Sequence, residues 1–451
     1  MENWTIRAAL QMGDHPELVA FVGGGGKTSL MFALAAELPG RTVITTTTRI
    51  FTAQMALAPA VCQVENLDDL GRHLARYGRC LVIGEVEGDK AYGVDPELPA
   101  RLLARADVDN ILVEADGSRM RPVKAPADHE PVMPKATTLL VPLAGLDALE
   151  NPIDAIAHRP ELIHNMLAAT PGNSLASPLL TADQRLTPAG LALIMTHPAG
   201  GLKHVPSTAR IVPWFNKADA KERLRAGQLV AREVLREPRI KRVVIGAAKS
   251  RQPVREVHRR VTAVIPAAGE SRRMGRNKLL LPWGETTVLE QTLATLAATS
   301  VYDRVVVSGH DPAAITARAA PAGARVLHNP DFAIGMLSSV QVAVRQLGPD
   351  VEAVLVMLGD QPMVSPEVID RLIAAYATGP QGLVAPYYQG QRGNPVLIDR
   401  RYFDELLALP ADSAPRNLLQ RHGGDIRKVE IDRPAILHDL DRPEDYERWK
   451  P

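Results

Sequence analysis

The sequence has 451 residues, 46% of them hydrophobic and 23% charged, with a formal net charge of +1. That length exceeds what one hydrophobic core organises and predicts two domains, while the composition excludes general disorder. The balanced charge excludes a global pull toward nucleic acid or an anionic membrane. Only Cys62 and Cys80 are present, outside any metal or CxxC spacing, and aromatic residues make up 4%, against stacking on single strands. Residues 1–10 lack an apolar signal core and no stretch is apolar enough to span a bilayer, so the reading is a cytoplasmic protein with neither a membrane nor a nucleic-acid partner.

In the first half, strands are expected at 19–22, 43–46, 80–83, 110–114, 138–142, 210–215 and 242–245, separated by longer helical patterns. The first strand runs into Phe21-Val22-Gly23-Gly24-Gly25-Gly26-Lys27-Thr28, followed by a helical pattern over 29–38. A strict P-loop carries glycine where Phe21 stands. The four glycines still let the backbone approach a phosphate, Lys27 brings an ammonium to the β- and γ-phosphates, and Thr28 brings a hydroxyl to magnesium. Strand 110–114 ends in acids, so Glu114 or Asp116 fits a Walker-B-like carboxylate; Asp116 is assigned beside Thr28 as the metal pair, with a turn before Gly117 as the competing role.

Strand 210–215 leads into Asn216-Lys217-Ala218-Asp219, an NKxD pattern that resembles the guanine-recognition motif of GTPases, an exposed polar turn being the alternative. A carboxylate at Asp219 can accept from both guanine N1–H and the exocyclic amine, which favours GTP over ATP without implying hydrolysis. The last strand ends at Gly246-Ala247-Ala248-Lys249, where GTPases place a base-contacting loop. Residues 250–260 are basic and lack apolar periodicity, and are expected as a solvated linker between a domain at 1–249 and another at 261–451.

Beyond it the alternation restarts, with strands expected at 261–266, 304–308, 324–327, 353–357 and 383–386 and helices at 288–298 and 337–346. The fold class is therefore α/β, with two doubly wound three-layer domains, the first P-loop NTPase-like and the second Rossmann-like. The loop after the first strand of this half reads Ala267-Ala268-Gly269-Glu270-Ser271-Arg272-Arg273-Met274-Gly275-Arg276-Asn277-Lys278. Small residues admit a polyphosphate, and Arg273 and Lys278 offset its charge. Asp360 closes a buried strand at the sheet edge where α/β ligands sit, and a single carboxylate there suits magnesium shared with substrate phosphates. Asp441 is the choice for a second metal ligand and Asp439 its alternative, capping acids being the rival reading. Ser338 and Ser339 stand at a helix start as donors or simple N-caps.

Together these segments resemble the molybdenum cofactor nucleotidyltransferases, and within them the cytidylyltransferase branch. The resemblance is carried by the loop above, Asn329 with Gly335-Met336-Leu337-Ser338-Ser339, Gly359-Asp360-Gln361-Pro362, Arg392-Gly393-Asn394-Pro395-Val396, and Asp439 to Asp445. It implies a magnesium-dependent transfer of CMP from CTP to molybdopterin, giving molybdopterin cytosine dinucleotide and pyrophosphate. The Ala-Ala-Gly opening resembles that of the CTP-using branch. The family's GDxGAR stretch is altered here to Ala411-Asp412-Ser413-Ala414-Pro415-Arg416, and this bears on the acceptor. A sugar or polyol phosphate acceptor, or a GTP-regulated cofactor chaperone without turnover, are the alternatives.

The first half resembles the YqeC-type accessory proteins of molybdenum hydroxylases, through GGGGKT, Thr45 to Arg49, Glu114 to Ser118 with Lys124, His129-Glu130-Pro131, and His197 to Gly201. That resemblance implies an apo molybdenum hydroxylase as partner, while the P-loop and NKxD patterns give GTP or ATP at the N-terminal site. His129 could bind a metal or oxyanion, a structural role being the alternative.

Overall fold

The computed structural model describes residues 3–170, 178–410 and 413–451. The chain forms two compact units, Asn3–His258 and, apart from the first two residues, Arg259–Pro451.

The first unit is built on one large sheet. Its strands, in chain order, are β1 (Glu17–Gly23), β2 (Thr42–Thr46), β3 (Val61–Gln63), β4 (Arg79–Ile83), β5 (Asn110–Glu114), β6 (Leu139–Gly145), β7 (Trp214–Asn216), β8 (Arg242–Gly246) and β9 (Val254–Arg259). Their spatial order is β9-β8-β7-β6-β1-β5-β2-β4-β3, and the pairings from β8 to β3 are parallel. Parallel strands need helical crossovers that cover both faces, so alternate residues of one strand enter different cores. Val19 and Phe21 pack with Leu30 and Leu34 of α1 (Lys27–Glu37), whereas Leu18 packs with Leu70 and Leu74 on the other face. The central strand β1 delivers the glycine loop to the carboxyl edge of the sheet, between β5 and β6.

Two expectations need correction here. The run 210–215 is broken: Arg210–Ile211 pairs with β6, and β7 begins only at Trp214, because Pro213 between them has no N–H to give to a ladder. The expected linker contains β9 at the sheet edge. Val254 and Val257 are buried in the first unit's core, while Glu256 accepts from Gln228 Nε2 at 2.9 Å and lies 2.6 Å from His258. Two buried valines among charged residues that satisfy one another leave no apolar period for a sequence reading to detect.

The second unit carries β10 (Val261–Ala267), β11 (Asp303–Ser308), β12 (Arg325–His328), β13 (Ala353–Val356), β14 (Leu383–Tyr388), β15 (Val396–Asp399) and β16 (Ile426–Glu430). The order is β12-β11-β10-β13-β15-β14, with β16 parallel to β14. Val261, Ala263 and Ile265 face a core with Leu289 and Leu293 of α2 (Val288–Ala297), and Val264 faces one with Leu337 and Val340 of α3 (Met336–Arg345). This is a three-layer arrangement, but the sheet is mixed: β15 runs antiparallel to both β13 and β14, a departure from the expected doubly wound sheet. Among the described residues, no helix is long and apolar enough to cross a membrane.

Candidate functional site

Each unit has a cavity at the carboxyl edge of its central strand. In the first unit the glycine loop bends sharply between β1 and α1. Gly25 has φ +79° and a side chain there would meet the backbone of Gly145 at 2.3 Å; Gly26 has φ +118° and would meet Asn216 Nδ2 at 2.6 Å. Both positions demand glycine, for conformation and for space. The cavity above the loop, about 520 Å³, is lined by Gly25, Gly26, Lys27 and Thr28, by Glu114, and by Asn216, Lys217, Asp219 and Ala247 to Lys249. The glycine-loop and NKxD segments, 188 residues apart from Thr28 to Asn216, thus meet around one space.

Their roles differ in detail from expectation. Lys27 is buried, and its Nζ donates to Gly23 O at 2.6 Å and lies 3.2 Å from Asp116 and 3.7 Å from Glu114. Burial opposes the Lys27 charge, but the two carboxylates outweigh it and hold the ammonium above its ordinary value. Asp116 is 2% exposed; its carboxylate accepts from Gly23 N at 3.0 Å and pairs with Lys124 at 3.1 Å. Those partners hold it behind the loop, and it does not line the cavity with Thr28. Glu114 occupies that place instead, accepting from Thr28 Oγ1 at 2.8 Å, and burial lifts its carboxyl above the usual range although Lys27 and Thr28 oppose this.

Asn216 is a brace. Its Nδ2 donates to Gly25 O at 2.8 Å and its Oδ1 accepts from Ala248 N at 2.9 Å, so one amide joins the phosphate loop to the last loop of the sheet. Lys217, with φ +66°, pairs with Asp147 at 2.7 Å. Gly23 and Gly24 complete the turn, Gly24 N donating to Leu143 O at 2.9 Å. Gln54, which donates to Thr28 Oγ1 at 3.1 Å, carried no sequence signal, and Asp147 likewise none.

In the second unit, Ala267, Ala268, Gly269, Ser271, Lys278, Ser339 and Asp360 line a cavity of about 370 Å³. Lys278 Nζ contacts both Asp360 Oδ2 and Asp441 Oδ1, the latter at 2.8 Å. Burial opposes the Lys278 charge, and Asp360 and Asp441 together overcome it and raise it. Arg273 is largely exposed, lines a neighbouring depression with Asp441, and reaches that carboxylate at 3.4 Å. Asp439 accepts from Gln361 Nε2 at 2.6 Å and is pushed up to about 6 by burial and by Asp360. Ser338 does not reach the cavity: its hydroxyl donates to Gly335 O at 2.7 Å and accepts from Asn329 Nδ2 at 2.8 Å, a helix-start role that leaves Ser339 facing the space. Ala411 and Asp412 of the altered loop lie outside the described residues.

Neither cavity holds three or more His, Cys, Asp or Glu arranged for a metal ion, a statement limited to the described residues. Two carboxylates gathered on one ammonium, beside a loop of small residues, suit a divalent ion that takes its remaining ligands from phosphates and water.

The family model for the YqeC protein matches residues 19–161, and that for the MobA-like NTP transferase domain matches residues 263–426. The chain is 33% identical over 205 residues to YqeC of Escherichia coli (strain K12), covering 44% of this chain and 75% of that protein. It is 29% identical over 188 residues to the molybdenum cofactor cytidylyltransferase of the same organism, covering 41% of this chain and 93% of the relative. Among solved structures, Rv0371c from Mycobacterium tuberculosis H37Rv is 30% identical, covers 43% of this chain and 98% of that one, and has a TM-score of 0.40. The chain belongs to the YqeC family in its first unit and carries in its second a MobA-like NTP transferase domain similar to molybdenum cofactor cytidylyltransferase.

Proposed function

We propose that the second unit transfers CMP from CTP to molybdopterin, giving molybdopterin cytosine dinucleotide and pyrophosphate. The observation that carries this reading is the meeting of Asp360, Asp441 and Lys278 beside the Ala267–Gly269 turn. A terminal phosphate oxygen of molybdopterin attacks the α-phosphorus of CTP, and the bond from that phosphorus to the bridging oxygen breaks as pyrophosphate leaves. The attacking oxygen is already anionic near neutral pH, so positioning and charge balance supply the catalysis and no general base is needed. Asp360 and Asp441 would hold magnesium, which neutralises triphosphate charge when bound. Lys278 and Arg273 then balance the charge that develops on pyrophosphate, and the small side chains of Ala267, Ala268 and Gly269 let the nucleotide lie against the backbone.

For the first unit, the reading is a guanine-nucleotide site that serves the maturation of a molybdenum hydroxylase. Lys27 would meet the β- and γ-phosphates, Thr28 and Glu114 would hold magnesium, and Asp219 would accept from the guanine edge. Support comes from the convergence of loop, acid and NKxD segment on one cavity.

Incubation of the full chain with magnesium, molybdopterin and either CTP or GTP tests the transferase reading. Pyrophosphate and the cytosine dinucleotide are expected with CTP; no product with either nucleotide sinks it. A sugar phosphate converted in place of molybdopterin would keep the chemistry and replace the acceptor.

A further inference from the structure

The first unit contains a second, larger cavity, about 860 Å³, that shares Arg49, Phe51, Gly117, Arg119 and Met120 with the nucleotide cavity and opens beyond them. Apart from Thr47 and Thr48 beside Arg49, its remaining wall comes from three other parts of the chain: 90–93, 129–132 with Glu130, and His158 with Arg159. The volume is that of a small-molecule site.

The charge of this wall is one-sided. Glu130 is its one acid, and it is already used: it accepts from Lys124 at 2.8 Å and from Arg159 at 2.6 Å. Among the described residues, no carboxylate lies within ion-pair distance of Arg49, Lys90 or Arg119. Arg49 instead lies over the Tyr92 ring, 4.6 Å from its centroid. His158 also borders this space, with its Nδ1 turned away from solvent. Three cations without a carboxylate partner around one space call for an anion.

The rim is apolar where the charge is not. Phe51 is 52% exposed and Met120 89% exposed, and both border the cavity. Met120 and the adjacent Arg119 have φ +63° and +48°, a backbone region that side-chain-bearing residues enter at a cost of about 1–3 kcal/mol each. A flexible thioether and an exposed aromatic ring thus border the cavity together with Tyr92, surroundings that a flat ring covers.

We propose that this cavity binds a second small molecule beside the nucleotide, an oxyanion ester of a planar heterocycle, with the anion at Arg49, Lys90 and Arg119 and the ring among Met120, Phe51 and Tyr92. The proposal takes from the nucleotide reading only the identity of its neighbour. It makes the first unit a two-ligand site, suited to a nucleotide acting on, or gating the release of, a phosphorylated ring compound.

The full chain is titrated with flavin mononucleotide, whose ring fluorescence reports binding, and with riboflavin, the same ring without the phosphate. Flavin mononucleotide should bind at least tenfold more tightly than riboflavin and should stay bound under saturating GTP. Lys90→Ala should weaken it about tenfold and leave GTP affinity unchanged, and Met120→Ser should weaken both flavins. Equal affinity for the two flavins, no binding of either, displacement by GTP, or an unaltered affinity in Lys90→Ala each overturns the proposal. Absence of GTP binding with phosphate-dependent flavin binding intact overturns the nucleotide reading and supports this one.

Discussion

Asn216→Ala tests the brace within the NKxD pattern in which it sits. The substitution removes the donor to Gly25 O and the acceptor for Ala248 N, and all three residues are buried in the folded protein. An unsatisfied buried polar group costs about 1–3 kcal/mol, and two of them about 2–5 kcal/mol after some relaxation. With a tenfold change for every 1.4 kcal/mol, local opening of the phosphate loop and of Ala248 should become about 30-fold to about 4,000-fold more frequent. Hydrogen exchange read by mass spectrometry on peptides covering 20–30 and 243–250 measures this directly, and GTP affinity should fall in parallel because the loop is no longer held. Peptides from the second unit act as the internal reference. Exchange changed by less than about threefold in both segments would refute the bracing argument and return Asn216 to a purely ligand-facing role.

Replacing Asp360 by Ala should lower dinucleotide formation by about 100-fold or more in a pyrophosphate-release assay, in line with removal of a group that stabilises transition-state charge, and normal turnover would mean that the metal lies elsewhere. Glu114→Gln should cost more of the magnesium dependence of nucleotide binding than Asp116→Asn, which should act chiefly on stability; the reverse ranking in magnesium titrations would restore Asp116 as the ligand. Asp219→Ala should erase the preference for GTP over ATP in competition binding, whereas equal affinities in the unaltered chain would refute guanine recognition. Glu130 bears on acid stability. Burial works against its charge, but Lys124 and Arg159 prevail and take its carboxyl from an ordinary 4.5 to about 2. The charged form is favoured in the folded state, so about 3 kcal/mol of stability is present above pH 4.5 and is lost as pH falls from there toward 2. Unfolding of Glu130→Gln followed between pH 5 and 2 should show that slope flattened, and an unchanged slope would remove Glu130 from the account.

Much of the fold was legible because strand, loop and helix succeed one another within a few residues. The run 110–114 is a strand at those bounds, and the strand-to-loop-to-helix passages at Gly23 to Thr28 and after Val261 lie at the carboxyl edges where an α/β sheet gathers ligands. The antiparallel β15 was missed since Val396 to Asp399 is a short buried run like its parallel neighbours, and direction leaves no mark on composition. Gln54 and Asp147 were missed because neither sits in a local pattern.

The sequence by itself determined two α/β units, the two phosphate-friendly loops, and the acids Asp360 and Glu114 at strand ends, since each follows from local spacing and residue chemistry. Only the tertiary structure decided which carboxylate faces a cavity and which is locked behind it, as with Glu114 against Asp116, and which of two adjacent serines is turned inward. It also assembled the second cavity from five separated segments. The physical reason is common to all of these: a side chain's role depends on whether a lysine, a backbone N–H or open space lies opposite it, and those partners come from residues tens to hundreds of positions away.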